Sequence, residues 1–196
     1  MNEAQWDKLL RVKTGGRDES NADVYHYPYE PTPYCVLERL VKSEYITKEH
    51  ILVDYGCGKG RVGFFLNHEI GCRTIGIEYD ERICQRALEN KESYGTYRKV
   101  EFVHTGAEQY EVTEADCFYF FNPFSVEILQ SVIGKILASY YETPRPMQLF
   151  FYYPNDEYIA YLMTQDELMF SDEIDCRDLF EGDNEREKIL IFEVMG

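Results

Sequence analysis

The clearest chemistry in the chain lies in Val53-Asp54-Tyr55-Gly56-Cys57-Gly58-Lys59-Gly60-Arg61. This stretch follows a short apolar run, Ile51–Tyr55, and precedes apolar residues that recur at helical spacing over 62–68. Glycines there can take positive φ and let a ligand approach the backbone closely. The first turn of the helix adds N–H groups with no partner inside the helix. Two ligand classes suit such a loop. Gly58-x-Gly60-x-x-Gly63 matches a dinucleotide fingerprint, and Glu78 lies 18 residues past Gly60, where a ribose-binding acid belongs. Asp54, two residues before Gly56, points the other way. A carboxylate there repels a pyrophosphate and suits a ligand that carries an ammonium and a sulfonium.

A second group follows a nearly unbroken apolar run, Ala115–Phe121, and ends Phe120-Phe121-Asn122-Pro123-Phe124. The carboxyl ends of strands are where ligands bind in open α/β sheets. Asn-Pro followed by Ser125 is also what a strand end and a helix cap require. A third group is aromatic: Tyr25, Tyr27, Tyr29 and Tyr34 surround three prolines. Their rings can face a sulfonium, so residues 1–33 are expected to include a lid, with Tyr27 and Tyr29 against the acceptor. Tyr153, at the end of another apolar run, is a further candidate for that pocket. His26, His50, His68 and His104 form no constellation. No cysteine pair has the spacing of a zinc site, so the thiols at 35, 57, 72, 84, 117 and 176 are expected to be reduced and no metal is expected.

These motifs together resemble class I S-adenosylmethionine-dependent methyltransferases. Asp54–Gly60 is similar to their first motif, and Glu78 in Ile75-Gly76-Ile77-Glu78 to the acid that holds both ribose hydroxyls. The resemblance implies S-adenosylmethionine as cofactor, held by Asp54, Gly56, Cys57, Gly58, Glu78, Ala107 and Asn122. The family often has an acid where Gly106 stands, so at Thr105-Gly106-Ala107-Glu108 only a backbone contact from Ala107 to adenine carries over. Asn122-Pro123-Phe124 resembles the Asn-Pro-Pro-aromatic motif of amino-group methyltransferases, without its second proline. There the Asn side chain and a Pro carbonyl hold a planar nitrogen and the ring packs on the substrate, which gives Asn122, Pro123 and Phe124 the catalytic role. An NAD-dependent oxidoreductase and a non-catalytic protein that keeps the cofactor remain the alternatives.

The elements that must position these residues alternate. Strands are expected at 51–55, 73–79, 100–104, 115–121, 148–153, 168–177 and 188–194. Helices are expected at 34–45, 62–68, 81–94, 126–140 and 157–163. This pattern predicts one domain over 1–196, an arm at 1–33 and a Rossmann-like α/β core at 34–196: a seven-stranded, mostly parallel sheet with helices on both faces, closed by an antiparallel hairpin around Glu181–Asn184. Residues 1–23 read as loosely ordered, with Trp6, Leu9 and Leu10 on one face of a short helix. The 196 residues carry 36 acids and 20 bases, a net charge of −16. That charge disfavours a nucleic acid and favours a small-molecule or basic protein acceptor. The densest basic stretches are only Lys59–Arg61 and Arg98–Lys99. No apolar run approaches a bilayer span and the first residues lack a signal-peptide core, so a cytoplasmic protein without a membrane partner is expected.

Overall fold

The computed structural model describes residues 1–19, 24–95 and 99–196. Arg98, in one of the two basic stretches, and residues 20–23 of the N-terminal segment lie outside them. Seven strands form one sheet in the order β3-β2-β1-β4-β5-β7-β6. They are β1 (Ile51–Tyr55), β2 (Arg73–Glu78), β3 (Val100–His104), β4 (Cys117–Phe120), β5 (Gln148–Tyr152), β6 (Leu168–Asp175) and β7 (Lys188–Val194). The first five run parallel, and β7 inserts antiparallel between β5 and β6. The final hairpin is present, but residues 176–187 join its strands, with a 3-10 turn at Arg177–Leu179, rather than a tight turn.

The helices are α1 (Glu3–Leu10), α2 (Tyr34–Lys42), α3 (Arg61–Glu69), α4 (Glu81–Tyr94), α5 (Val126–Glu142) and α6 (Asp156–Leu162). Two cores flank the sheet, and neighbouring strand residues divide between them: Leu52, Tyr119 and Phe150 go to one, Val53, Phe118, Phe120 and Phe151 to the other. Burial on both faces is why the central strands are almost wholly apolar. Asp80 caps α4 by accepting from the N–H groups of Arg82 and Ile83, and Asn155 caps α6 by accepting from Tyr158. Ser125 occupies the cap position of α5 but makes no capping hydrogen bond with its side chain.

The N-terminal segment departs most from expectation. Residues 1–14 are packed, not loose. Asn2 and Gln5 form a reciprocal capping box at the start of α1. The Trp6 ring lies 4.8 Å from that of Phe65, and its Nε1 donates to Glu38. Leu9 is half exposed while Leu10 is buried, so the buried face of α1 is Trp6 and Leu10. Beyond α1, Val12 and Thr14 are buried. Tyr34 is also core, its hydroxyl donating to Asp7 over 2.7 Å, so it leaves the proposed lid.

Candidate active site

The loop after β1 turns three times through positive φ, at Gly56, Gly58 and Gly60. At all three an added Cβ would also clash, at Gly60 within 2.4 Å of the Phe102 ring. A Cβ on Gly56 would come within 2.2 Å of Pro123, and one on Gly58 within 2.0 Å of the Tyr29 ring. The loop is therefore pressed between the end of β4 and the N-terminal arm. Gly56 and Cys57 donate their N–H groups to the Ile77 carbonyl, which joins this loop to the end of β2.

Two carboxylates meet there. Glu78 accepts from the N–H of Gly58 and the N–H of Asp80, each at 2.9 Å. Burial raises its pKa, partly offset by those two N–H groups. Asp54 is 4% exposed, and its Oδ2 has no hydrogen-bond partner among the described residues. Burial first, and then the Glu78 charge, push the Asp54 carboxyl up to about 8. A buried carboxyl left this way is costly unless a cation or a donor reaches it. Glu108 repeats the theme: its Oε2 is buried without a partner among the described residues. Its carboxylate also stands 2.7 Å from where a Cβ on Gly106 would be. Glu108 thus fills the space left empty by Gly106. Sequence reading missed it because the acid is displaced by two positions.

These groups share one cavity at the carboxyl edge of the sheet. Asp54, Gly56, Cys57, Glu78, Ala107, Pro123 and Phe124 line it, as do Tyr27 and Tyr29. Its cover is the arm. Tyr27 donates its N–H to the Pro123 carbonyl, and Ser125 donates its N–H to the Tyr25 carbonyl. Tyr29 pairs through its backbone with Asp18, and its hydroxyl donates to the Thr14 carbonyl over 2.5 Å. His26 stacks on Tyr79 with ring centroids 3.9 Å apart, a contact no spacing in the sequence announces.

The two cations of the glycine loop anchor this cover. Lys59 donates to the Gly15 carbonyl and sits over the Tyr29 ring. Arg61 is 3% exposed and bonds the Thr14 hydroxyl, the Thr32 carbonyl and the Glu3 carboxylate. The Lys59–Arg61 stretch is therefore spent inside the fold.

Asn122 and Tyr153 fall outside this first cavity and line a second one beside it. Both have positive φ, at 40° and 50°. Asn tolerates the left-handed region; for Tyr it is a strained choice. The Asn122 Nδ2 donates to the Tyr153 carbonyl at 2.6 Å, and its Oδ1 accepts from the Asn155 N–H at 3.1 Å. Asn122 thus braces the end of β4 against the loop after β5. Of the two groups the resemblance assigns to a planar acceptor nitrogen, the Asn122 side chain is engaged in that brace and the Pro123 carbonyl accepts from Tyr27. Phe124 is 3% exposed and packs edge-on to Tyr55 and Phe120 as part of the core.

Comparison with known proteins decides the family. A family model described as a methyltransferase domain matches residues 34–177. The chain belongs to that family, the class I S-adenosylmethionine-dependent methyltransferases. This methyltransferase domain resolves the overlapping glycine fingerprints against NAD. The chain is 28% identical over 93 residues to a protein-lysine N-methyltransferase of Saccharolobus islandicus (strain REY15A). The match covers 47% of this chain and 58% of that relative, so the chain spans little more than half the length of the curated relative it matches. Among solved structures, an RNA methyltransferase from Salinibacter ruber in complex with S-adenosylhomocysteine is similar with TM-score 0.57 and 22% identity, over 85% of this chain and 94% of that one. A tRNA (uracil-54, C5)-methyltransferase from Pyrococcus abyssi, also with S-adenosylhomocysteine, reaches TM-score 0.61 at 15% identity, over 85% and 40% of the two chains. At such identities the likeness is one of fold.

The residues that line the cavity suit the family's cofactor. The partnerless Asp54 oxygen fits an ammonium, and a pyrophosphate would be repelled there. A carboxylate has about four lone-pair positions. Glu78 therefore keeps acceptor capacity for two ribose hydroxyls after serving Gly58 and Asp80. Among the described residues no helix is long and apolar enough to cross a membrane.

Proposed function

We propose that this methyltransferase domain methylates the amine nitrogen of a lysine side chain in an acceptor protein. The observation that carries this reading is the engagement of Asn122 and the Pro123 carbonyl by the protein's own backbone. A planar nitrogen of a base or amide would have to displace both bonds. An aliphatic amine has a single tetrahedral lone pair and needs no such pair of grips. The lysine-specific relative and the net charge of −16 support the same choice.

When bound, S-adenosylmethionine supplies a methyl group already activated on a sulfonium. The residues of this chain then have three tasks. Asp54 and Glu78 hold the amino and ribose ends, with the Gly58 and Ala107 backbone beside them. Glu108 offers its unpartnered Oε2 to a donor on the base. The arm, through Tyr27 and Tyr29, excludes water and fixes the acceptor nitrogen against the methyl group. The acceptor ammonium must give one proton to solvent before its nitrogen lone pair can form the N–CH3 bond, and the S–CH3 electron pair would leave on the thioether sulfur.

The test is transfer of a radiolabelled methyl group by the full chain, offered a lysine-rich protein and total tRNA in separate reactions. Label recovered as methyl-lysine after acid hydrolysis is the expected result. Label in the RNA alone refutes the acceptor. Tight binding of S-adenosylhomocysteine with no transfer to either counts against the lysine acceptor.

A further inference from the structure

The second cavity encloses about 420 Å³, within the roughly 300–1,000 Å³ of small-molecule sites. Phe121, Tyr152, Tyr153 and Phe180 form its aromatic walls, with Tyr27 from the arm. The rings of Phe121 and Tyr152 are 4.7 Å apart and those of Phe121 and Tyr153 6.4 Å. Two carboxylates, Glu30 and Glu187, complete it. Glu187 is held in place by the Tyr152 hydroxyl, which donates to it over 2.7 Å. Among the described residues that line it the one cation, Arg17, is ion-paired with Glu19 at 2.9 Å.

Tyr27, Pro28, Glu30 and Phe121 line both cavities. They form a partition with the carboxylate pair Asp54 and Glu78 on one side and the aromatic chamber on the other. The Asn122-Pro123 peptide crosses it, Asn122 lining the second cavity and Pro123 the first.

We infer that the second cavity is the acceptor entrance and takes an alkylammonium side chain, a lysine presented by a protein. This rests on the lysine reading above. Aromatic faces attract an ammonium and tolerate the apolar stem behind it. Glu30 and Glu187 add charge complementarity that an anionic acceptor would lack. The shared lining places the chamber directly against the cofactor side.

The experiment uses the full chain, a peptide carrying a single lysine, the same peptide with norleucine in its place, and an RNA transcript. Wild type is expected to methylate only the lysine peptide. The double variant E30Q/E187Q, and separately Phe180→Ala, should raise the peptide KM at least tenfold. The dissociation constant of S-adenosylhomocysteine should stay within twofold for Phe180→Ala, a residue that lines the second cavity alone, and melting temperatures confirm that each variant folds. If wild type methylates the peptide and all three variant proteins, including the combination of E30Q/E187Q with Phe180→Ala, keep its KM, the entrance lies elsewhere and the lysine reading survives. If wild type methylates the transcript and not the peptide, both fall.

Discussion

Asp54 is held at a disadvantage by the fold. An unfolded aspartate ionises near 4, whereas burial and Glu78 move the folded group up to about 8. The folded state therefore binds the extra proton. The associated stability is complete below about pH 4 and is lost as the pH rises through about 8. An ammonium beside Asp54 reverses that preference and expels the proton. Affinity for S-adenosylhomocysteine is then expected to rise with pH from about 6 to about 8, approaching tenfold per unit. Calorimetry in buffers of different ionisation enthalpy reads the proton release directly. Asp54→Asn should flatten the pH profile; equal slopes in the two proteins would show that the cation sits elsewhere. Glu78 makes a different prediction because its carboxylate also holds two backbone N–H groups. Glu78→Ala removes charge-assisted bonds worth about 1.5–3 kcal/mol each. It should weaken S-adenosylhomocysteine at least tenfold and also lower the melting temperature, with Glu78→Gln recovering part of the second loss. An unchanged dissociation constant would place the ribose away from β2.

At the scale of elements the arm is decisive, and its structure changes what a truncation means. Deleting residues 1–30 removes Glu3, Asp7 and Thr14 from around the buried Arg61 guanidinium. The same deletion takes Trp6, Leu10 and Val12 out of the core, and losing large buried side chains costs about 2–5 kcal/mol each, a large share of the roughly 5–15 kcal/mol that holds a typical domain together. The truncated chain is expected to melt far lower, so it cannot report on a lid. Tyr27→Ala is the cleaner probe, since Tyr27 is 37% exposed and its N–H bond to Pro123 survives the change. If the arm fixes the acceptor, turnover should fall by roughly tenfold or more at unchanged melting temperature; full turnover would end the lid role. The sheet, its order of helices and the glycine loop were legible because periodicity and glycine spacing are local signals. Helix ends moved by only a few residues, as at Lys42 against an expected 45. The packing of α1 was not legible, because Arg61, Thr14 and Tyr34 meet through contacts far apart in sequence. Nor were the hydrogen bonds of Asn122 with Tyr153 and Asn155, 31 and 33 residues further along the chain.

The whole molecule carries −16 while its glycine-loop cations are consumed internally, so its outer field is negative. Such a field speeds encounter with a basic protein and slows encounter with RNA. Long-range attraction of this kind is screened over about 8 Å at physiological salt and about 3 Å at 1 M. A step that depends on steering therefore weakens as salt is added, whereas a step inside the closed site does not. For a lysine-rich protein acceptor, KM is expected to rise several-fold between about 0.05 and 0.5 M salt, with kcat nearly constant. A peptide carrying a single lysine and no net charge should show a smaller salt dependence, because only the local attraction of Glu30 and Glu187 is screened. The comparison separates the surface from the chamber: the field selects the protein, and the two carboxylates select the side chain. If KM for the basic protein is flat across that range while E30Q/E187Q still raises it, recognition is wholly local and the acidic surface serves solubility alone. If both acceptors respond equally to salt, the attraction resides in the chamber, where Glu30 is exposed to solvent, and the outer surface adds nothing.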